Sequence, residues 1–389
     1  MRQSLHEHLA WWGLKRFISD ADYFAWQRRQ LSPAQLNQLS VRADQKREGD
    51  RCDEIAFYDL TAAAAILPVL YSQRYEYYRE IGARVASRFG DAMRILDFGC
   101  GVGILTTFYA RLFPEKQFIG FDRSPASVVV AGQKAQALGL ANVRFECGDV
   151  ETEPPTGTYD LIIATHALVQ VEQDPGIPSQ SWRSFERARD GNQQAVFERR
   201  TGIGARLDRL NAILGQNGRM IVFEKTRQLA RRVPFQRALA ARNMRLLDAP
   251  EPVRYQSVEE VVDDGPLYML QKGSGPSPDW DESPEPDEGR PFDRNMVQSK
   301  SGDAEAPLFE NHWPSAQMAW EQLKDRKIDE ETTRQERDGR QMHVELGTAE
   351  GLSYLYCANT FDQRQLVIVE QARVSMLETY YRDIISGSG

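Results

Sequence analysis

The sequence predicts a doubly wound, mostly parallel α/β sheet with an N-terminal helical cap and a small C-terminal α+β module. The middle of the chain supplies the first observation: "RILDFG", "QFIGFD", "NVRFECGD", "YDLIIAT" and "RMIVFE" are short apolar runs, each followed by polar or glycine-rich residues and most by a helical stretch. Parallel strands joined by crossover helices produce that alternation. The second observation is the texture of residues 1–90, where Leu, Trp, Phe and Tyr recur at helical intervals with few strand-like runs. The third is the stretch 273–307, rich in Pro, Gly, Ser and acid and almost free of aliphatics. Such a stretch cannot bury enough surface to offset its chain entropy and reads as a linker.

Taken in order, residues 1–80 form the cap, 81–273 the sheet domain, 274–312 the acidic linker and 313–389 the small module. Within the cap, "LYSQRYEYYREIGARV" at 70–85 sets Tyr71, Arg74, Tyr75 and Tyr78 at helical intervals, so that several share a face. After Glu224 come a basic helical stretch near 226–243 and two candidate strands, "MRLLDA" and "PLYMLQK", that complete the sheet edge. Beyond the linker, "SAQMAWEQLKDRK" reads as a helix, "RQMHVELG", "LSYLYCAN" and "QLVIVE" as strands, and "QARVSMLETYYRDII" as a closing helix.

With 389 residues, 41% hydrophobic and 27% charged, the chain has material for an ordinary domain and additions to it. A formal net charge of -8 argues against broad attraction to nucleic acid or anionic lipid, and no nucleic-acid signature appears. Cys52, Cys100, Cys147 and Cys357 lack paired spacing, so neither a disulfide framework nor a zinc knuckle is expected. A reducing, cytoplasmic setting is the expectation. The N-terminus is interrupted by charge, and the apolar run "AAAAILPVL" is too short to cross a membrane and contains Pro68. His6 and His8 form an H-x-H pair without a third ligand, so no metal is expected.

The stretch "RILDFGCGVGILT" at 94–106 carries the chemistry. A strand, a glycine turn and a helix make a cradle for an anion or nucleotide, because glycines let backbone amides approach and the helix N-terminus is positive. Spacing separates the candidates: Gly99, Gly101 and Gly103 form G-x-G-x-G, where a dinucleotide site wants G-x-G-x-x-G, and no G-K-[ST] follows for a P-loop.

"LDFGCGVG", with Asp97 ahead of the glycines, resembles the first motif of class I S-adenosylmethionine-dependent methyltransferases, and the resemblance extends over roughly residues 80–272. It implies a seven-stranded sheet, S-adenosyl-L-methionine as cofactor and methyl transfer as activity. It also implies roles. Asp97 orients the methionine end through its amino group, Asp122 in "FIGFDRS" accepts the ribose hydroxyls with Arg123 beside it, and Asp149 in "VRFECGDV" falls beside the adenine amino group with Val150 against the ring. "YDLIIATHALVQV" resembles the fourth strand and the segment facing the methyl group, and "LNAILGQNGRMIVFEK", with its turn at Gly218, the last glycine-preceded strand. Tyr71 or Arg74 could supply a contact to the cofactor's carboxylate, against simple packing of the cap.

His166, just past the fourth strand, is a candidate general base, with pocket shaping as its other reading; Thr165 is a weaker polar candidate. The N-P-P-Y signature of amino-methyltransferases is missing after that strand, which disfavours base methylation in nucleic acids. The insertion between Val171 and Leu207 holds Trp182, Phe185 and several arginines, and is expected, with the cap, to close over the acceptor. The acceptor is a small molecule or a protein side chain. A competing reading makes the protein a non-catalytic scaffold that recruits a protein partner through its C-terminal module; the complete set Asp97, Asp122 and Asp149 argues against it.

Overall fold

Six helices precede the first strand, and several of their boundaries are set by local side chains. In the computed structural model, which describes residues 2–169, 174–297, 308–336 and 339–387, they are α1 (Arg2–Trp11), α2 (Asp20–Gln30), α3 (Pro33–Glu48), α4 (Arg51–Thr61), α5 (Leu67–Ser72) and α6 (Tyr75–Ala86). α3 opens on a reciprocal cap: Ser32 Oγ accepts from the Gln35 amide at 3.3 Å, the Gln35 side chain accepts from the Ser32 amide at 2.9 Å, and Pro33 takes the first helical position. Asp50 opens α4 by accepting from the amides of Cys52 and Asp53 at 2.7 and 3.3 Å. α6 buries Tyr78, Ile81 and Val85 at helical spacing, and these join Leu5, Leu9 and Trp12 in one core with the sheet. Full burial of each aliphatic side chain contributes about 2 kcal/mol.

The sheet that follows consists of β1 (Arg94–Phe98), α7 (Ile104–Leu112), β2 (Gln117–Asp122), α8 (Pro125–Ala137), β3 (Val143–Cys147) and β4 (Tyr159–Thr165). It continues with α9 (Gly191–Thr201), α10 (Ile203–Ile213), β5 (Leu214–Phe223), α11 (Leu229–Ala240), β6 (Met244–Leu246), β7 (Glu251–Ser257) and β8 (Glu260–Lys272). Strand order is β3-β2-β1-β4-β5-β8-β6, with β7 paired to β8. The first five strands run parallel, whereas β8 is antiparallel to β5, β6 and β7. The chain leaves β1 toward β2 on one side and returns to β4 on the other. This switch opens a crevice at the carboxyl ends of β1 and β4, where such sheets bind ligands. The fold is the expected mostly parallel α/β sheet, with eight strands in place of seven. The additional strand is β7, which "EPVRYQS" forms against the charged first half of a long β8, where no apolar run marks it.

The chain packs as two compact units: Met1–Asp174, Ala195–Arg227 and Phe235–Trp280 in the first, and Pro175–Gln194, Gln228–Pro234 and Asp281–Gly389 in the second. The second unit contains a 3-10 turn at Arg294–Met296, β9 (Phe309–His312), α12 (Trp313–Gln322), β10 (Lys327–Gln335), β11 (Gln341–Ala349), β12 (Leu352–Asn359), β13 (Arg364–Glu370) and α13 (Val374–Ser386). Its antiparallel sheet runs β10-β11-β12-β13-β9. On one face Val344, Leu346, Leu355, Val367 and Val369 pack with Leu377 and Tyr381 of α13. On the other, Tyr354, Tyr356, Leu366 and Ile368 pack with Ala316 and Trp320 of α12 and with Trp182.

Two expectations change here. The module has five strands rather than three, because β9 is short and β10, "KIDEETTRQ", is a charged, exposed edge strand without apolar alternation. The stretch 274–312 is not an idle tether: Phe292, Met296, Val297 and Phe309 pack into the second unit's core, and Trp280 lies against Tyr268 in the first. Residues 298–307 of that stretch, and 170–173 of the insertion, lie outside the described residues.

Candidate active site

The glycine turn is shaped by three residues at positive φ, with Gly99, Gly101 and Gly103 at 74, 55 and 81°. Two of them differ instructively. A Cβ on Gly99 would sit 2.4 Å from the Ala167 Cβ, so this glycine lets the loop after β4 come close. A Cβ on Gly101 would meet nothing within 4 Å. Gly101 therefore faces open space, and its backbone, not a side chain, is presented there.

That space is a cavity of about 460 Å³ within the first unit, lined by α3 to α6 on one side and the carboxyl ends of β1, β2, β4 and β5 on the other. Asp97, Gly99, Gly101, Asp122, Arg123, Thr165 and His166 all line it, together with Tyr71, Arg74 and Tyr78 of the cap. Gly103, Asp149 and Val150 do not. Asp149 is engaged elsewhere: it pairs with Arg51 of α4 and lies 3.7 Å from Arg123, while Val150 is fully buried.

Asp97 is 5% exposed and its Oδ2 accepts from Thr106 Oγ1 at 2.6 Å. Burial pushes its pKa up to about 7, against the pull of the Thr106 hydroxyl and with the help of neighbouring Asp122. Among the described residues no basic side chain pairs with it. Asp122 ends β2 and accepts from the Gly101 amide at 2.8 Å and the Ser124 amide at 2.9 Å. Burial raises its pKa too, and these two amides oppose the rise. The cap is tied to the same corner, because Asp59 of α4 accepts from Ser124 Oγ at 2.6 Å and from the Ala126 amide at 3.1 Å. Cys100 has its thiol pKa raised by burial and by both aspartates, which makes it an inert side chain of the loop.

His166 adopts φ 56°, a left-handed conformation rare outside glycine. Its amide donates to Phe223 O at 2.8 Å, and its ring stacks between Tyr77 and Phe223 at 5.0 and 5.2 Å. Arg74 Nη2 donates to Nδ1 at 2.7 Å, so the imidazole proton resides on Nε2, 3.1 Å from Asp264 Oδ2 but poorly aligned for a hydrogen bond. Burial holds the His166 pKa down at about 4, with Arg74 adding to it, and the ring is neutral. Asp264 also accepts from Tyr255 Oη at 2.5 Å.

Several of these residues carried no signal in the sequence. Glu224, 1% exposed at the end of β5, accepts from the amides of Ala167, Leu168 and Val169 at 2.7, 2.8 and 3.3 Å. It holds the loop that presents His166. Its only mark is an acid closing the apolar run "RMIVF". Asp264 and Tyr255 arrive from the β7–β8 hairpin. Conversely, the insertion expected to close over the acceptor contributes no cavity-lining residue from 174–207. Trp182 instead stacks on His343, and Phe185 lies under Arg364, both inside the second unit.

Strand order and crevice define a doubly wound α/β domain with Asp97 and Asp122 on a cavity at its topological switch point. A family model described as a methyltransferase domain matches residues 89–232. Trans-aconitate 2-methyltransferase of Deinococcus radiodurans is 34% identical over 103 residues, covering 26% of this chain and 36% of that protein. Ribosomal RNA large subunit methyltransferase G of Ectopseudomonas mendocina is 35% identical over 126 residues, 31% of this chain and 33% of that protein. Among solved structures, magnesium protoporphyrin IX methyltransferase of Synechocystis PCC 6803 with bound SAM superposes with a TM-score of 0.36 at 16% identity, over 53% of this chain and 81% of that one. The chain spans about a third of the length of the two curated relatives named here.

Proposed function

We propose that this protein is an S-adenosylmethionine-dependent methyltransferase acting on a small-molecule acceptor in the cavity beneath the helical cap. The observation that carries this reading is Asp97, a buried carboxyl without a basic partner, on the same cavity as Asp122 and the open face of Gly101. A buried acid in that state is completed by an ammonium group. Asp97 would take the cofactor's amino group, Asp122 the ribose hydroxyls, and the Gly101 backbone would allow close approach. Arg74, a guanidinium whose polar contact is the neutral His166, would take the carboxylate. Asp149 and Val150 remain candidates for the adenine end, with Asp149 first exchanging its ion pair with Arg51.

When bound, the cofactor supplies an electrophilic methyl group on a positively charged sulfur, ready for in-line transfer. The chain's own task is then to hold, align and keep out water, for which an aromatic wall of Tyr71, Tyr77, Tyr78 and Tyr255 is suited. His166 keeps Arg74 in place through Nδ1. It becomes a general base only once Arg74 leaves that nitrogen for an anion, which would free a lone pair beside the reacting centre. The volume of the cavity favours a small acceptor over an inserted chain.

Titration calorimetry with S-adenosylhomocysteine tests the site. Asp122→Ala should abolish measurable binding while leaving the circular dichroism spectrum intact, and unchanged affinity would overturn the assignment. A screen of carboxylic acids, phenols and amines for cofactor turnover then tests the activity, with no consumption by any acceptor favouring the scaffold reading.

A further inference from the structure

The second unit contains a cluster that the methyl-transfer reading leaves unused. Across β10 and β11, Glu331 stands directly opposite Glu345 and Thr333 opposite His343. Residues two apart on a strand share a face, so both acids and the histidine converge. One ligand atom from each of Glu331, His343 and Glu345 lies within 4.8 Å of the others. Like charges paired directly across strands are destabilising unless a cation lies between them.

His343 is the second, independent observation. It is 1% exposed, and its Nε2 is a buried atom without a hydrogen-bond partner. That nitrogen lies 3.5 Å from Glu345 Oε2, long for a hydrogen bond. The separation suits two ligands of one ion, since atoms about 2.0–2.2 Å from a tetrahedral metal lie roughly 3.4 Å apart. The other atoms are already committed. Nδ1 lies 2.7 Å from Thr333 Oγ1, and with the proton on Nδ1 the Nε2 lone pair faces the cluster. Glu345 Oε1 accepts from Tyr354 Oη and from Trp320 Nε1, leaving Oε2 for another contact. Trp182 stacks on the imidazole at 3.6 Å and 2°, fixing its plane. The neighbouring cation, Arg326, sits 4.0 Å over the Trp320 ring rather than on the carboxylates.

We propose that Glu331, His343 and Glu345 form a binding site for a divalent transition-metal ion of the zinc class on the β10–β11 face of the second unit. One imidazole nitrogen with two carboxylate oxygens suits such an ion better than calcium or magnesium, which prefer all-oxygen shells. Three protein ligands leave a coordination position for water, and exposed Glu331 provides the path of entry.

The test uses the full chain after chelation and dialysis, titrated with Co²⁺ by visible absorption and with Zn²⁺ by calorimetry, Mg²⁺ serving as control. One Co²⁺ per chain should bind with d–d bands that Zn²⁺ abolishes and Mg²⁺ does not. Glu331→Gln, at an exposed position, should weaken Zn²⁺ by at least about tenfold without changing the circular dichroism spectrum. His343→Gln should remove the bands, and should it fail to fold, the Glu331 variant still decides. Absence of saturable binding, equal affinity of Glu331→Gln, or equal competition by Mg²⁺ would each overturn the site.

Discussion

Asp97 gives the first unit a pH signature. With its pKa near 7 when no cation is beside it, the carboxyl is largely protonated below that value and charged above it. A cofactor ammonium is best served by the charged form, so affinity should rise with pH through 7, and binding at lower pH should expel a proton. In calorimetry with S-adenosylhomocysteine from pH 5.5 to 8.5, we expect a loss of about tenfold per pH unit below 7. Asp97→Asn should weaken binding and flatten that slope; a slope that survives would place the titrating group elsewhere. Glu224 is a structural counterpart, since its removal strands one buried and two half-buried amides. Glu224→Ala should cost about 3 kcal/mol in a denaturant titration. The two acids were unequally legible. Asp97 stood in a motif whose family resemblance implies its role, whereas Glu224 acts on a loop 55 to 57 residues away, which no local pattern encodes.

At the level of elements, the glycine turn separates folding from binding. Gly99→Ala forces a Cβ against Ala167 at a positive φ, and should lower the melting temperature by several degrees through steric clash and strain. Gly101→Ala meets open space, so it should cost only about 1–2 kcal/mol of backbone strain yet impair cofactor binding disproportionately. Thermal melts and calorimetry on the pair check this, and equal effects on both readouts would contradict it. The inner parallel strands β1, β2, β4 and β5 were legible because both faces of a buried parallel strand are apolar, whereas the half-exposed edge strand β3 was read from the motif it leads into. β7, β9 and β10 were not, because an edge strand or a hairpin arm is chosen by its neighbour rather than by its own composition. Asp149 shows the same limit from the side of the site. Its position at the end of β3 is readable, but the Arg51 that meets it belongs to α4, 98 residues earlier.

At the scale of the whole molecule, the second unit is assembled from three separate stretches of chain. Ser179 donates to Thr360 O through both its amide and its hydroxyl at 2.7 and 3.1 Å, and Arg187 pairs with Asp362. A chain ending at Trp280 should therefore expose Trp182, whose indole packs in the second unit's core. We expect such a truncation to bind a hydrophobic dye and to aggregate, and a soluble, dye-silent product would count against this assembly. The long Pro- and acid-rich stretch hid this plan in the sequence, because four scattered apolar anchors do not make a periodic pattern. The interleaving also bears on how the protein is made. The ribosome releases Trp182 about 160 residues before His343, a wait of roughly 10–30 s at ordinary synthesis rates. Throughout that interval the indole lacks its imidazole mate, so the nascent chain carries an apolar ring that only later synthesis can cover.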